Sequence, residues 1–332
     1  MSKFKIVSIS CIKNECDIIE AFVKINSRII DTFVFIDDSS DKTTEILRNL
    51  IKDGYKIILL DRQIGEDYNQ GGLLTAALNF LVTQFNSLEF DYILPLDCDE
   101  FPNSISLEDF TEELSQIPEG FVGSYVWETY IPTTLDFPNL ISNGLIDSFQ
   151  KRVPEGRIFP KIIISRDLVG KIVVGTGSHN AIHLNGINVN EYRIDSKLAH
   201  FPVRSAEQII RKNFSAVDGL MRKKERVQGE GFHVYNTMAS ILKKNICLNL
   251  EDIQMIANEY ANPNPILRKI GLDEVQLLSP KWIPNYTLSY HDFSKIDFAN
   301  CFGEIIINSW LNPIAYNDFS DLRQALIDNP SL

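Results

Sequence analysis

The chain predicts an α/β fold: a mostly parallel, Rossmann-like sheet flanked by helices, with a C-terminal helical extension. Three observations predict it. The first hundred residues alternate short runs that are apolar throughout with amphipathic stretches, the pattern of buried parallel strands joined by right-handed helical crossovers. Polar clusters fall where those runs end. After Arg204 the chain turns helical again, following a region of short strands broken by Pro and Gly.

Taken in order, residues 4–12 (FKIVSISCI) form the first strand, and 16–30 place Ile18, Ile19, Phe22, Ile25 and Ile29 on one helical face. Residues 32–37 (TFVFID) form the second strand, with a helix over 43–53. A third strand spans 55–60, with a helix over 72–86; the fourth, 91–97 (DYILPLD), is apolar in its interior apart from Pro95. From about residue 121 come FVGSYVWETY, FPKIIIS and KIVVG, around a loop containing Pro132, Pro138, Asn143 and Gly144. This reads as mixed sheet plus a surface loop over the site. The chain becomes irregular near Pro263, Pro265, Pro280 and Pro284 before a last helix around 319–328. With no internal repeat or low-complexity segment, the expected organisation is one elaborated domain over 1–213 and a mainly helical extension over 214–332.

Composition bounds the function. At 332 residues, 44% apolar and 23% charged, the chain can bury a sizeable core. Its 32 basic and 44 acidic residues give a net charge of −12, which offers no whole-chain support for nucleic-acid binding. No apolar stretch reaches the roughly 18 residues of a membrane-spanning helix, and the N-terminus lacks the apolar block and cleavage site of a signal peptide. The five cysteines, Cys11, Cys16, Cys98, Cys247 and Cys301, are odd in number, scattered and without CxxC spacing. They suit reduced thiols in a cytoplasmic protein, with no structural zinc.

Ligands of parallel sheets bind outside the carboxyl ends of the strands. There this sequence places Lys13-Asn14-Glu15, Asp37-Asp38-Ser39-Ser40-Asp41, Asp61-Arg62-Gln63 and Asp97-Cys98-Asp99-Glu100. Asp97-x-Asp99 on a tight turn lets two carboxylates reach one hard cation, magnesium or manganese, that shares its shell with a diphosphate. Asp37 or Asp38 can accept from a nucleobase N–H or a ribose hydroxyl, with Ser40 or Asp41 capping the next helix. Neither GxGxxG nor GxxxxGKT is present, which argues against a dinucleotide dehydrogenase or a P-loop NTPase.

The ordered set KNE (13–15), DDSSDKT (37–43), DCDEF (97–101) and LAHFPVRSAEQIIRKN (198–213) resembles the family-two-like glycosyltransferases of the GT-A fold, in the subgroup built around an Asp-x-Asp-Glu-Phe core. The resemblance covers about residues 4–213. It implies a nucleotide-sugar donor, a UDP sugar first, with Asn14, Glu15, Asp37 and Asp38 around the nucleoside. Asp97 would meet the ribose or the metal, and Asp99 the metal bridging the two phosphates. His200 or His179 would complete the metal shell. Gly175 and Gly177 would let backbone approach a phosphate or sugar, and His183 is structural. An inverting transfer also needs a general base. Glu128 in YVWETY is the first choice, with Glu100, Asp136 and Asp147 as alternatives, while Trp127 and Tyr130 beside it would pack in the core or stack on a sugar.

Arg204 or Arg211 would grip the departing diphosphate. The basic run Arg222, Lys223, Lys224 and Arg226 suits a solvated face, an acceptor or peripheral contact with an anionic membrane. The acceptor implied by the family is a glycan or lipid-linked glycan of bacterial surface polysaccharide, lipopolysaccharide or capsule, made at the inner face of the membrane. The competing readings are a sugar-phosphate nucleotidyltransferase, which should carry a Gly-rich basic loop where Lys13-Asn14-Glu15 stands, and a non-catalytic nucleotide- or glycan-binding module on the same fold.

Overall fold

The computed structural model describes residues 4–61, 70–84, 88–103, 106–133, 149–152, 160–222, 232–261 and 275–276. Strands β1 (Ile6–Ile12), β2 (Thr32–Asp37), β3 (Ile57–Asp61) and β4 (Tyr92–Pro95) run parallel in the order β3-β2-β1-β4. Helices α1 (Ile19–Asn26), α2 (Thr43–Lys52) and α3 (Gln70–Gln84) connect them.

The strands are apolar throughout because alternate residues serve two cores. Phe33 and Phe35 of β2 face Phe22 of α1 and Leu47 of α2, whereas Val34 and Ile36 join Val7 and Ile9 of β1 under Leu74, Leu78 and Leu81 of α3. The sequence-predicted α/β class is therefore the observed one. Most element ends differ from the expected ranges by a few residues, and two of the differences have local reasons. The first helix starts at Ile19, since Ile18 and Ile19 donate back to the Glu15 carbonyl in a turn. The fourth strand stops at Pro95, because residues 97–100 close a turn in which the Glu100 N–H donates to the Asp97 carbonyl at 3.0 Å.

That turn leads into β5 (Glu100–Asn103), a strand not expected from the sequence, and then α4 (Leu107–Ser115). Beyond β4 the sheet continues antiparallel through β8 (Pro160–Ser165), β6 (Val122–Pro132), β7 (Phe149–Arg152) and the two-residue β12 (Val275–Gln276). Strands β9 (Ile172–Val174) and β10 (Ala181–His183) form a separate hairpin. The long β11 (Glu191–His200) lies parallel to β6 and antiparallel to β5.

Helices α5 (Ala206–Arg222), α6 (Phe232–Lys243) and α7 (Leu250–Ala261) enclose a third core of Ile209, Ile210, Phe214, Met238 and Ile253. They close on the end of β6, where Ile131 joins that core and Gln254 Nε2 donates to the Pro132 carbonyl at 2.9 Å. Among the described residues no helix is long and apolar enough to cross a membrane. The expected helix at 319–328, the loop around Pro138, Asn143 and Gly144, and Lys223, Lys224 and Arg226 lie outside the described residues.

Candidate active site at the carboxyl edge of the sheet

The parallel register aligns Ile12 with Asp37, and Asp37 with Asp61, so the segments that leave β1, β2 and β4 emerge on one edge. Asn14 builds the first part of the site. It occupies the left-handed region at φ 59°, which Asn tolerates better than most residues. Its side-chain oxygen accepts from the Ser40 N–H at 2.8 Å and the Asp41 N–H at 3.2 Å, and its own N–H donates to Ser39 Oγ at 2.9 Å. Asn14 thus clamps the loop after β2. Asp37 is occupied inside that loop by the Ser39 N–H at 2.9 Å and the Thr44 hydroxyl at 2.6 Å. Asp41 receives the Thr43 N–H at 2.9 Å in an Asx turn, but the N-cap position of α2 is Lys42, without a side-chain cap, so the cap expected of Ser40 or Asp41 is corrected. Asp38 faces outward beside Lys13, 3.4 Å away, with a side chain 35% exposed.

The second part is the turn after β4. Glu100, fully buried, accepts the Asp97 N–H at 2.8 Å and the Trp127 indole N–H at 2.8 Å, with Lys161 Nζ at 3.2 Å. Burial pushes its pKa up to about 8. Asp97 accepts from Lys161 Nζ at 2.7 Å and from Gln70 Nε2 at 3.1 Å, yet stays 38% exposed. Gln70 also takes the Gly177 N–H at 3.2 Å, tying the turn to the 175–179 loop. Gly177 has φ 72°, and a Cβ there would meet the His179 ring at 2.5 Å.

Asp99 points elsewhere and is buried. Lys212 Nζ lies 2.8 Å from its Oδ2, Arg204 Nη1 at 3.5 Å, and His200 Nε2 3.7 Å from Oδ1. Burial opposes its ionisation, but Lys212, His200 and Arg204 outweigh it and hold the carboxyl well below the usual range. Burial lowers His200 to about 4, so its ring is neutral at pH 7, stacked on Trp127 with centroids 4.4 Å apart. His179 meets the same indole edge-on at 5.5 Å, and its Nδ1 lies 2.8 Å from the Pro160 carbonyl, which fixes Nδ1 as the protonated nitrogen.

Arg204 is the hub beneath these groups. Its Nε and Nη2 donate to Asp17 at 2.6 and 3.0 Å, Nη2 to Glu15 at 2.8 Å, and Nη1 to the Phe201 carbonyl at 3.3 Å. At 2% exposure it faces inward, so the anion it holds is the protein's own. Arg211 is likewise engaged, 3.3 Å from Asp41 and 3.8 Å from Asp17. In this structure both arginines, expected to grip a departing diphosphate, are engaged by the protein's own carboxylates.

Glu128 is also corrected. Along β6, Trp127 and Glu128 face opposite sides, and the pairings of Leu198 with Trp127, His200 with Glu100 and Tyr125 with Lys161 put the whole acidic turn on Trp127's side. Glu128 lies on the other face, where Asn103 Nδ2 donates to it at 3.1 Å. Asp136 and Asp147 lie outside the described residues.

Sequence reasoning missed Asp17, Gln70 and the pairings of Lys161 and Lys212. Lys161 had a signal: it is the single charge inside the apolar strand PKIIIS, and a lysine so placed is buried only when paired. Glu15 carries a testable consequence. Burial beside Asp17 and Asp99 lifts it to about 7 from 4.5, even against Arg204 and Lys212. A raised carboxyl stabilises the fold at low pH and loses that contribution as pH rises through about 7. Glu100 adds a loss of the same sign and neutral His200 a gain below about pH 6.5, so the test is a difference: between pH 5 and 7 the urea midpoint of Glu15→Gln should fall less, or rise more, than that of wild type, and an identical pH dependence would remove Glu15 as a contributor.

Among the described residues no three His, Cys, Asp or Glu side chains gather as a metal-ligand set. Asp97 and Asp99 do not face one point: Asp97 is 38% exposed, whereas Asp99 is buried against Lys212, Arg204 and His200. A hard cation in a nucleotide site takes one or two carboxylates and completes its shell with water and phosphate oxygens, and Asp97 is open enough to offer one.

Residues 9–173 match the sequence model of glycosyl transferase family 2. No curated protein matches the chain. Among solved structures, glucosyl-3-phosphoglycerate synthase from Mycobacterium tuberculosis with Mn2+, UDP and glucosyl-3-phosphoglycerate aligns at 15% identity over 66% of this chain and 79% of that one, with a TM-score of 0.31. The same enzyme with Mn2+ and UDP-glucose aligns at 15% identity over 66% and 78%, TM-score 0.32. A mycobacterial protein aligns at 14% identity over 51% of this chain and 56% of its own length, TM-score 0.29. The family match begins inside β1, ends inside β9 and contains KNE, DDSSDKT and DCDEF. Residues 9–173 are thus a glycosyl transferase family 2 domain on a GT-A-type, Rossmann-like sheet, and the chain is a glycosyltransferase.

Proposed function

We propose that this enzyme transfers a sugar from a nucleotide-sugar donor, a UDP sugar first, to a hydroxyl of a glycan or lipid-linked glycan, with inversion and with Mn2+ or Mg2+ bound. The supporting observation is the convergence, inside the family-matched segment, of two outward-facing carboxylates, Asp38 and Asp97, on one sheet edge. Asp38 suits the nucleoside, whose N–H and hydroxyl groups are donors. Asp97, with Asp99 behind it, would hold the cation. When bound, the cation would supply Lewis-acid stabilisation of the diphosphate.

The acceptor oxygen forms its bond to the anomeric carbon as the bond from that carbon to the phosphate oxygen breaks. The electron pair leaves with the nucleoside diphosphate, and the hydroxyl proton passes to a base on the acceptor side. Neutral His200 and the inward-facing Arg204 pack against Asp99 in the interior behind the acidic turn. The family reading extends to bacterial surface polysaccharide built on the cytoplasmic side, at the membrane's inner face.

The test is nucleotide release from a panel of UDP, GDP and CMP sugars with lipid-linked and free glycan acceptors. Chelator-sensitive release of one diphosphate, stimulated by an acceptor, is the expected result; no release from any donor would count against the proposal.

A further inference from the structure

We propose that Gln70 is a positioning residue for the transfer: its side-chain amide sets the Asp97 carboxylate and the 175–179 loop against one another, so that Asp97 meets the donor in one orientation. This rests on the nucleotide-sugar reading above.

Asp97 is held at both of its carboxylate oxygens. Lys161 Nζ reaches Oδ2 at 2.7 Å from β8, and Gln70 Nε2 donates to Oδ1 at 3.1 Å from the start of α3. The lysine alone does not orient the acid, because an ammonium is a point charge with rotatable donors and tolerates rotation of the carboxylate about its own axis. A second donor on the other oxygen, reaching it from a different element, fixes the plane. The side chain keeps 38% of its surface open, so what it offers a ligand at the sheet edge has a set direction.

The amide has a second partner, which decides its own orientation. Gly177 donates its N–H to Gln70 Oε1 at 3.2 Å, and since an amide carries its acceptor and its donors on one planar head, that bond turns Nε2 toward Asp97. The loop is braced by the same two elements that hold the acid. On the β8 side, His179 Nδ1 lies 2.8 Å from the carbonyl of Pro160, the residue before Lys161. On the α3 side, the Thr75 hydroxyl accepts the Val174 N–H at 2.9 Å, and a Cβ on Gly71 would collide with the Val174 carbonyl oxygen, so α3 begins in close backbone contact with the strand that enters the loop. Gln70 bonds to both the loop and the carboxylate. It also separates positioning from folding: Lys161 lies 3.2 Å from buried Glu100 as well, so losing it strips a buried acid of its cation, whereas losing Gln70 leaves Asp97 still paired with Lys161.

The experiment is a double-mutant cycle on UDP binding at saturating Mg2+, read by calorimetry and, for weak complexes, by 31P NMR titration. The four proteins are wild type, Gln70→Met, Asp97→Asn and the double variant, with GDP or CMP replacing UDP if wild type prefers one of them. Gln70→Met, close to glutamine in volume but unable to make either hydrogen bond, should bind UDP about tenfold more weakly than wild type, the scale of one charge-assisted hydrogen bond. In the Asp97→Asn background the same replacement should change affinity by less than about twofold, because the carboxylate it positions is gone. Equal losses in the two backgrounds would mean that Gln70 only supports the fold, and no loss in either would remove it from the site; both results overturn the proposal.

Gln70→Glu supplies a second measurement, which decides the matter even where Asp97→Asn binds no UDP and which enters the cycle should Gln70→Met fail to fold. It keeps an acceptor for the Gly177 N–H and turns a carboxylate on Asp97, so UDP binding should fall at least as far as in Gln70→Met; wild-type affinity in this variant overturns the proposal. Wild type that binds none of UDP, GDP and CMP would sink the nucleotide-sugar reading itself, whereas wild type that binds UDP beside an indifferent Gln70→Met sinks only the role of Gln70.

Discussion

Replacing Arg204 by methionine is expected to destabilise the fold by about 3–5 kcal/mol, the cost of leaving buried charges uncompensated. The side chain could be accommodated by volume, but the loss is electrostatic. Asp17, itself 2% exposed, would lose contacts at 2.6 and 3.0 Å, Glu15 one at 2.8 Å, and Asp99 a cation at 3.5 Å. Arg211 at 3.8 Å would be left as the nearby cation for Asp17. Arg204→Lys should recover only part of the loss, since an ammonium lacks the planar fork that spans Asp17 and Glu15 together. Urea unfolding followed by circular dichroism measures both. A midpoint for Arg204→Met close to wild type would show that the acids shed their charge freely, and that the hub is not what holds β1, the β4 turn and the start of α5 together.

The largest effect on activity is expected at the acidic turn. Asp97→Asn should lower turnover by about 10²–10³-fold, the scale of removing one electrostatic stabiliser from a preorganised site. The fold should survive, because Asp97 is 38% exposed and its neighbour Glu100 keeps the turn through the Asp97 N–H and the Trp127 indole. Asp99→Asn should have a similar effect on turnover with a different cause, as it also releases Lys212. Steady-state kinetics beside urea midpoints separate the cases: lost activity with an intact fold is expected, and retained turnover in both variants would remove the turn from the chemistry.

Much of this frame was legible in the sequence. TFVFID was read as residues 32–37, the observed bounds of β2, because an apolar run bounded by polar clusters has little freedom in length. The common edge followed from parallel order alone, which is why Asn14, Glu15, Asp38 and Asp97 could be brought together without coordinates.

What stayed hidden depends on partners distant in the chain. Lys212 meets Asp99 across 113 residues, and Lys161 meets Asp97 across 64. No spacing rule links them. β5 was missed because its four residues begin in the acidic turn and carry Pro102, which fits an edge or the start of a strand better than its interior. Glu128 was misplaced for a different reason. Its neighbour Trp127 already marks the face of β6 that packs on the turn, so the period-two rule alone sends Glu128 to the far side.

The most direct test of the central claim is calorimetric titration of the purified protein with UDP, GDP and CMP, each with and without Mn2+, repeated on Asp97→Asn. The account predicts that one nucleotide, UDP first, binds in a manganese-dependent way and that the dependence vanishes in the variant. Failure of all three to bind under either condition would contradict it, and the strand-end carboxylates would then have to serve another ligand.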